Sequence, residues 1–155
     1  MKPEPYGLDM LPETEPDTPP VDESIGFTGT RRGMTEFQKQ SLEDKLRQMK
    51  RDFVWFHHGS CLGSDLEAHR IARQLGYKIA LHPPADKYCA AELRSDSDYV
   101  YFDAEYLTRD REIVNQSTFL IAAPKKMIEE RRSGTWFTVR YARSVGKHVH
   151  ILAVK

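Results

Sequence analysis

The sequence predicts an α/β protein, a three-layer sandwich with a mainly parallel sheet of about five strands. Three observations predict it. Short apolar runs of strand length alternate with helical segments of about 10–15 residues, the rhythm of βαβ units. Glycine-bearing turns follow several of those runs. The chain, at 155 residues, is one domain's worth and long enough to bury a sizeable core. A parallel sheet must be covered on both faces, and right-handed crossovers place its βα loops at one end, where ligands bind in such folds. The class is Rossmann-like.

The elements follow in order. Ser24-Ile25-Gly26-Phe27-Thr28-Gly29 is a short strand entering a glycine turn. Thr35-Glu36-Phe37-Gln38 has the form of a capping box and opens a helix to Lys50, with Phe37, Leu42, Leu46 and Met49 for its inner face. Phe53-Val54-Trp55-Phe56-His57 is a second strand. Ser64-Asp65-Leu66-Glu67 has capping-box form too and starts a helix through Leu75 that stops at Gly76. Tyr77 to Leu81 is a third strand, closed by Pro83-Pro84. Residues 85–104 show no clear period beyond a short helix near Cys89–Leu93. Glu105 to Asn115 is helical, Ser117 to Ala122 a fourth strand, Thr135–Val145 a helix ending at Gly146, and His148–Val154 the last strand.

No apolar run approaches the roughly 18 residues of a membrane span, and the N-terminus shows no positively charged, apolar signal segment. Cys61 and Cys89 form no disulfide framework and neither has metal-ligand spacing. A cytoplasmic setting and no membrane partner are the expectations. The net charge of zero hides an asymmetry. Residues 1–23 hold seven acids against one base, Lys2, so they carry −6 and residues 24–155 carry +6. Six of the nine prolines also fall in the first twenty residues. The chain therefore divides into an acidic, Pro-rich arm over 1–23, either disordered or packed on the basic body, and one domain over 24–155 without internal repeats.

Three loops carry the chemistry. The first is Gly26 to Gly33, with Gly29, Thr30, Arg31 and Arg32 at its heart. Glycine lets backbone approach a phosphate closely, hydroxyls donate, and the next helix N-terminus favours an anion. Arginine adds planar, charge-assisted donors. The second loop, His58 to Asp65, repeats the plan without arginines and offers Gly59, Ser60, Gly63 and Ser64. The third, Arg131-Arg132-Ser133-Gly134-Thr135, again precedes a helix. Any tight βα turn uses glycine, so one such loop says little; three at one sheet edge predict an anion site. Neither the Walker pattern nor the dinucleotide glycine fingerprint is present, so no cofactor is expected.

These residues resemble the SLOG superfamily, which includes YspA-like proteins, the DNA-processing protein A family and the lonely-guy phosphoribohydrolases. Gly26–Arg32 is similar to its opening Gly-Ser/Thr-Arg turn. His58 to Asp65, followed by Ala68-His69 and Gly76, resembles its Gly-Gly-Ala-x-Gly-Ala-Asp loop and helix. Arg109-Asp110-Arg111 resembles an Arg-Asn-Arg segment ahead of the fourth strand, which adds Arg109 and Arg111 to the ligand-binding candidates. Ser133-Gly134-Thr135, Tyr141-Ala142-Arg143 and Gly146-Lys147 resemble the final Gly-Thr loop and helix. The resemblance runs over residues 24–154 in the right order, and that order is its specific feature.

The resemblance implies one of three activities: nucleotide binding, cleavage of nucleoside monophosphates, or binding of single-stranded DNA. It also implies dimers or higher assemblies. The phosphoribohydrolases carry Gly-Gly-x-Gly-Thr-x-x-Glu; here the glutamate position is Thr138 and the leading glycines are Arg131-Arg132. Scission of an N-glycosidic bond calls for a carboxylate, and Asp65 and Asp110 are the candidate catalytic substitutes. The competing role for Asp65 is helix capping, and for Asp110 an ion pair with a nearby arginine. The expected function is therefore a sensor or binding module for a nucleotide or nucleotide-derived phosphate. A nucleoside monophosphate N-ribohydrolase and a single-stranded DNA-binding protein are the alternatives. His58 and His69 flank the second loop as further pocket donors, Tyr99, Tyr101 and Tyr106 as a lid, and Trp136 as a base-stacking or core residue. His57, His82, His148 and His150 show no metal spacing, and no metal is expected.

Overall fold

The computed structural model describes residues 18–85 and 91–155. Its elements are β1 (Ser24–Gly29), α1 (Glu36–Met49), β2 (Trp55–His58), α2 (Ser64–Gln74), β3 (Lys78–Leu81), α3 (Ala91–Ser95), β4 (Tyr99–Val100), α4 (Tyr106–Asn115), β5 (Phe119–Ala123), α5 (Gly134–Ser144) and β6 (His148–Ile151). The fold is α/β and Rossmann-like, with one six-stranded sheet in the order β4-β3-β2-β1-β5-β6. Every strand pair is parallel. The strand beyond the five expected is β4, whose two residues pair with Ala80 and Leu81. A strand that short has no alternation to read.

The chain builds outward from β1 to β4, then returns to the other side of β1 with β5 and β6. The order of strands thus reverses between β1 and β5, which makes a crevice at their carboxyl ends. Apolar side chains fill both faces. Ile25, Phe27, Leu42, Leu46, Phe56 and Ile79 join β1–β3 to α1 and α2, while Ile113, Val114, Leu120, Trp136 and Val139 join β5 to α4 and α5. Trp136 is therefore a core residue, 4% exposed. Among the described residues no helix is long and apolar enough to cross a membrane.

Local chemistry explains the helix starts. Thr35 caps α1 with the predicted capping box, its hydroxyl accepting from Gln38 N–H at 3.0 Å while Gln38 Oε1 accepts from Thr35 N–H at 3.1 Å. The box expected at Ser64 is absent. Gly63 is the N-cap, at φ 82°, without a side-chain cap. Ser64 instead donates its hydroxyl to Thr30 O at 2.6 Å, tying α2 to the loop after β1. The last residues of the acidic arm lie against the body: Glu23 O accepts from Val54 N–H at 3.0 Å, and Val21 O from the Thr118 hydroxyl at 2.7 Å. Residues 1–17 of the arm, and Cys89, lie outside the described residues.

Candidate ligand-binding cleft

A cleft of about 600 Å³ opens at the reversal point between β1 and β5. Of the candidate site residues, Gly29, Thr30, Arg31, Arg32, Gly59, Asp65, Arg109, Asp110, Ser133, Gly134 and Thr135 line it. All three predicted loops meet there.

The first loop is clamped at both ends. Thr30 N–H donates to Ala123 O at 3.0 Å, and Gly33 N–H returns to Thr30 O at 3.1 Å. Glu67 of α2 accepts from Met34 N–H at 2.7 Å. Backbone held this way leaves Arg31 and Arg32 exposed at the rim. The Arg31 guanidinium lies over the Tyr106 ring, 4.7 Å from its centroid, and Arg109 lies 5.3 Å from the same centroid. On the third loop, Ser133 Oγ caps α5 by accepting from Trp136 N–H at 3.1 Å. The first turn of α5 thus opens on the cleft with Gly134 and Thr135, and a helix N-terminus favours an anion.

The floor is a buried charge cluster. Arg109, 4% exposed, projects from α4 beneath the second loop. Its Nη1 donates to Gly59 O at 2.5 Å and to His82 O at 3.2 Å, and its Nη2 to Cys61 Sγ at 3.6 Å. Its Nε donates to Asp110 Oδ1 at 2.9 Å. Asp65 accepts from Cys61 N–H at 3.1 Å through Oδ2. Burial is the largest influence on both carboxyls: it pushes Asp65 up to about 6 against the opposing charge of Arg109, and raises Asp110 in the same direction. Burial also raises the Cys61 thiol to about 11, with Asp65 adding to it, so the sulfur stays protonated and un-nucleophilic at neutral pH. Burial works against the charge of Arg109, but the carboxylates of Asp110 and Asp65 hold it protonated.

Four candidates stand outside the cleft lining. Ser60 is fully buried at φ 58°, its N–H donating to His58 Nδ1 at 2.9 Å. Gly63 turns the chain where any Cβ would overlap the Arg31 carbonyl, so it shapes the first loop from below. Ser64 is committed to Thr30, and Arg111 sits over the Phe137 ring at 5.4 Å. His58 and His69 do not reach the cleft: they face each other at 2.8 Å in the core, and His69 Nε2 meets Asp96 at 2.8 Å. Tyr101 stacks on His82 at 4.1 Å and Tyr99 packs against Tyr101, so only Tyr106 of the three tyrosines lines the cleft. Sequence reasoning did not nominate Leu107, Lys125 or Glu130, which also line it. Lys125, directly after β5 and its following proline, was findable as a basic residue in a βα loop.

No protein-family model matches the chain, and no curated protein does. Its structure matches solved ones. DNA processing protein A from Streptococcus pneumoniae superposes with a TM-score of 0.66 at 23% identity, over 86% of this chain and 50% of that one. The two share a Rossmann-like fold. The molybdenum cofactor binding protein of the phototrophic bacterium Rippkaea orientalis matches with a TM-score of 0.65 at 16% identity, over 86% of this chain and 76% of that one. DNA processing protein A from Helicobacter pylori, described with a single-stranded DNA binding mode, matches at 0.60 and 19% identity, over 84% and 65%. This chain spans half the length of the Streptococcus protein, and at such identities the likeness is one of fold.

Proposed function

We propose that the chain binds a nucleotide or nucleotide-derived phosphate ligand in this cleft, as a sensor or binding module. One observation carries the reading. Exposed Arg31, Arg32, Lys125 and Arg132 ring a cavity of about 600 Å³, which also receives the first turn of α5, at the point where the strand order reverses. Charge-assisted donors and free helix N–H groups converging on one cavity are what a phosphate requires, and the volume is in the range of small-molecule sites, roughly 300–1,000 Å³. The molybdenum cofactor binding named for the Rippkaea protein is in keeping with a small-molecule ligand on this fold.

A second reading, N-glycosidic hydrolysis of a nucleoside monophosphate, draws on a separate observation. Position 138, where the phosphoribohydrolase motif has glutamate, holds a threonine whose hydroxyl donates to Gly134 O at 2.8 Å. That hydroxyl also reaches the Asp110 carboxylate. Asp110 thus supplies from α4 a carboxylate next to the place where the motif would put one. The polyanionic alternative, single-stranded DNA as named for the Helicobacter protein, is disfavoured by Asp65 and Asp110 on the floor.

A thermal-shift screen of nucleoside mono-, di- and triphosphates, NAD, ADP-ribose and cyclic nucleotides, with chromatography of each hit, tests the reading. A ligand bound only by the native state at a hundredfold excess over its Kd stabilises by about 2.7 kcal/mol. Recovery of an intact stabilising ligand is the expected result, and recovery as free base plus ribose phosphate selects the hydrolase. No shift with any of them contradicts the nucleotide reading, and low-salt binding of single-stranded DNA would then replace it.

A further inference from the structure

The mouth of the cleft sets apolar surface among uncompensated cations. Arg31, Arg32, Lys125 and Arg132 are exposed, and none of them joins an ion pair among the described residues. Against them stands one half-exposed acid of the lining, Glu130, while the neighbouring Glu129 is taken up by Arg140 at 3.1 Å. Leu107 lines the same cleft and is 42% exposed; Met127 and Ile128, 49% and 78% exposed, lie between Lys125 and Arg132 in the loop from β5 to α5. Single exposed apolar residues need no partner, but a group of them within a basic rim suits an acidic peptide with apolar side chains.

This chain contains such a peptide. Residues 1–17 hold five acids, Glu4, Asp9, Glu13, Glu15 and Asp17, against one base, Lys2, a net −4, with Tyr6, Leu8, Met10 and Leu11 among the acids. We propose that this arm docks on the mouth of its own cleft, its carboxylates on the rim cations and its apolar side chains on Leu107, Met127 and Ile128. The reach suffices. The arm leaves the body at the amino ends of the strands, where Val21 O meets the Thr118 hydroxyl and Glu23 O meets Val54 N–H. The six residues of β1 span about 20 Å from there to the cleft, whereas residues 1–17 reach at most about 60 Å. The groove nearest the root of the arm, beside Thr18 and Pro20, is a poor competitor. It sets Glu23 and Asp98 against the single base Lys78, whose ammonium already lies 5.4 Å from the Trp55 ring centroid. A docked arm occupies the cations that a phosphate ligand needs, so the two exclude each other; that exclusion, unlike the docking, rests on the proposed function.

Amide-resolved NMR of the full chain tests the docking with two arm variants. One combines Glu4→Gln, Asp9→Asn, Glu13→Gln, Glu15→Gln and Asp17→Asn; the other combines Tyr6→Ser, Leu8→Ser and Leu11→Ser and keeps every charge. Both are expected to shift the amides of Arg31, Arg32, Leu107, Met127 and Ile128 from their wild-type positions, and the shifts of the first should shrink in about 0.5 M salt. Reciprocally, Arg132→Gln should shift the amides of residues 4–13, whose root lies at the far end of the sheet; this comparison decides even if an arm variant fails to fold. Isothermal titration should show orthophosphate binding the serine variant at least about fivefold more tightly than the wild type. Shifts confined to the substituted residues and their chain neighbours overturn the docking, and shifts at Trp55 and Lys78 overturn its location. Rim shifts that vanish on dilution overturn the intrachain arrangement in favour of a second copy. Rim shifts with equal orthophosphate affinity overturn the exclusion. Rim shifts with no orthophosphate bound by any form leave the docking standing and overturn the phosphate reading.

Discussion

Arg109 Nε and Asp110 Oδ1, side chains of chain neighbours on α4, form a buried ion pair at 2.9 Å directly under the loop after β2. The same guanidinium holds Gly59 O and His82 O, so one side chain fastens α4 to the carboxyl ends of β2 and β3. Gly59 has no Cβ because one there would collide with that guanidinium. The cleft floor is therefore built as a unit, and its predictions concern charge, space and protons.

Arg109→Ala leaves two buried carboxylates without their cation and two carbonyls without their donor. Breaking a buried pair from one side costs about 3–5 kcal/mol, read as a lowered denaturation midpoint in urea. Arg109→Lys recovers little of it, because an ammonium cannot span Gly59, His82 and Asp110 at once. Wild-type stability in the lysine variant would contradict the fork geometry.

Asp65 gives a pH signature. Its folded pKa, about 6, lies above the ordinary 3.8, so the fold favours the protonated acid. That contribution is complete below pH 4 and disappears as pH rises through 6. Asp65→Asn, locked neutral, gains on the wild type across this window, by on the order of 3 kcal/mol at pH 7. Paired urea titrations from pH 4 to 7 measure the gap; a gap independent of pH contradicts burial as the cause.

The core histidines act in the opposite direction. Burial holds His57, His58 and His82 well below the ordinary 6.5. Unfolded chains take up protons there that the fold refuses, so this contribution is present above pH 6.5 and is lost as pH falls below it. The hydrogen bonds also assign tautomers. Ser60 N–H donates to His58 Nδ1, so the His58 proton sits on Nε2 and is donated to His69 Nδ1, leaving the His69 Nε2 proton for Asp96. Imidazole nitrogen NMR at pH 7 should show His58 neutral and protonated at Nε2, and His57, His58 and His82 untitrated at pH 5.5. A titration midpoint near 6.5 for any of these three contradicts the packing.

Gly63→Ala tests the support of the first loop. The residue has φ 82°, and an added Cβ overlaps the Arg31 carbonyl. Backbone strain of this kind costs about 1–3 kcal/mol, and relief requires the Arg31 loop to move. Both stability and phosphate affinity should fall, whereas Gly146→Ala, which meets nothing within 4 Å, should cost stability alone. Unchanged phosphate affinity in Gly63→Ala would separate Gly63 from the site.

Most of the architecture was legible because period and punctuation agree in this chain. The Thr35–Gln38 capping box, the glycine stops at Gly76 and Gly146 and the apolar strand runs all point one way. β4 was not legible, since two residues at a sheet edge are specified by their partners in β3 rather than by their own pattern. Ser64 was misread for a related reason: its cap-like spacing is real, but a tertiary acceptor, Thr30 O, takes the hydroxyl. Within the cleft, loops adjacent to glycine turns were readable, as at Thr30, Arg31 and Gly134. The inward turn of His58 was not, because strand alternation says that neighbouring residues take opposite faces but not which face holds a partner for an imidazole.

The central claim is that phosphate ligands enter at the β1–β5 reversal, and an amide-resolved NMR titration of the full chain with a nucleoside monophosphate tests it most directly. Shifts should concentrate at Thr30, Arg31, Arg32, Gly134 and Thr135 and saturate together. Saturable shifts instead at the opposite end of the sheet, around Val54 and Lys78, or no shifts with any nucleotide, would contradict it.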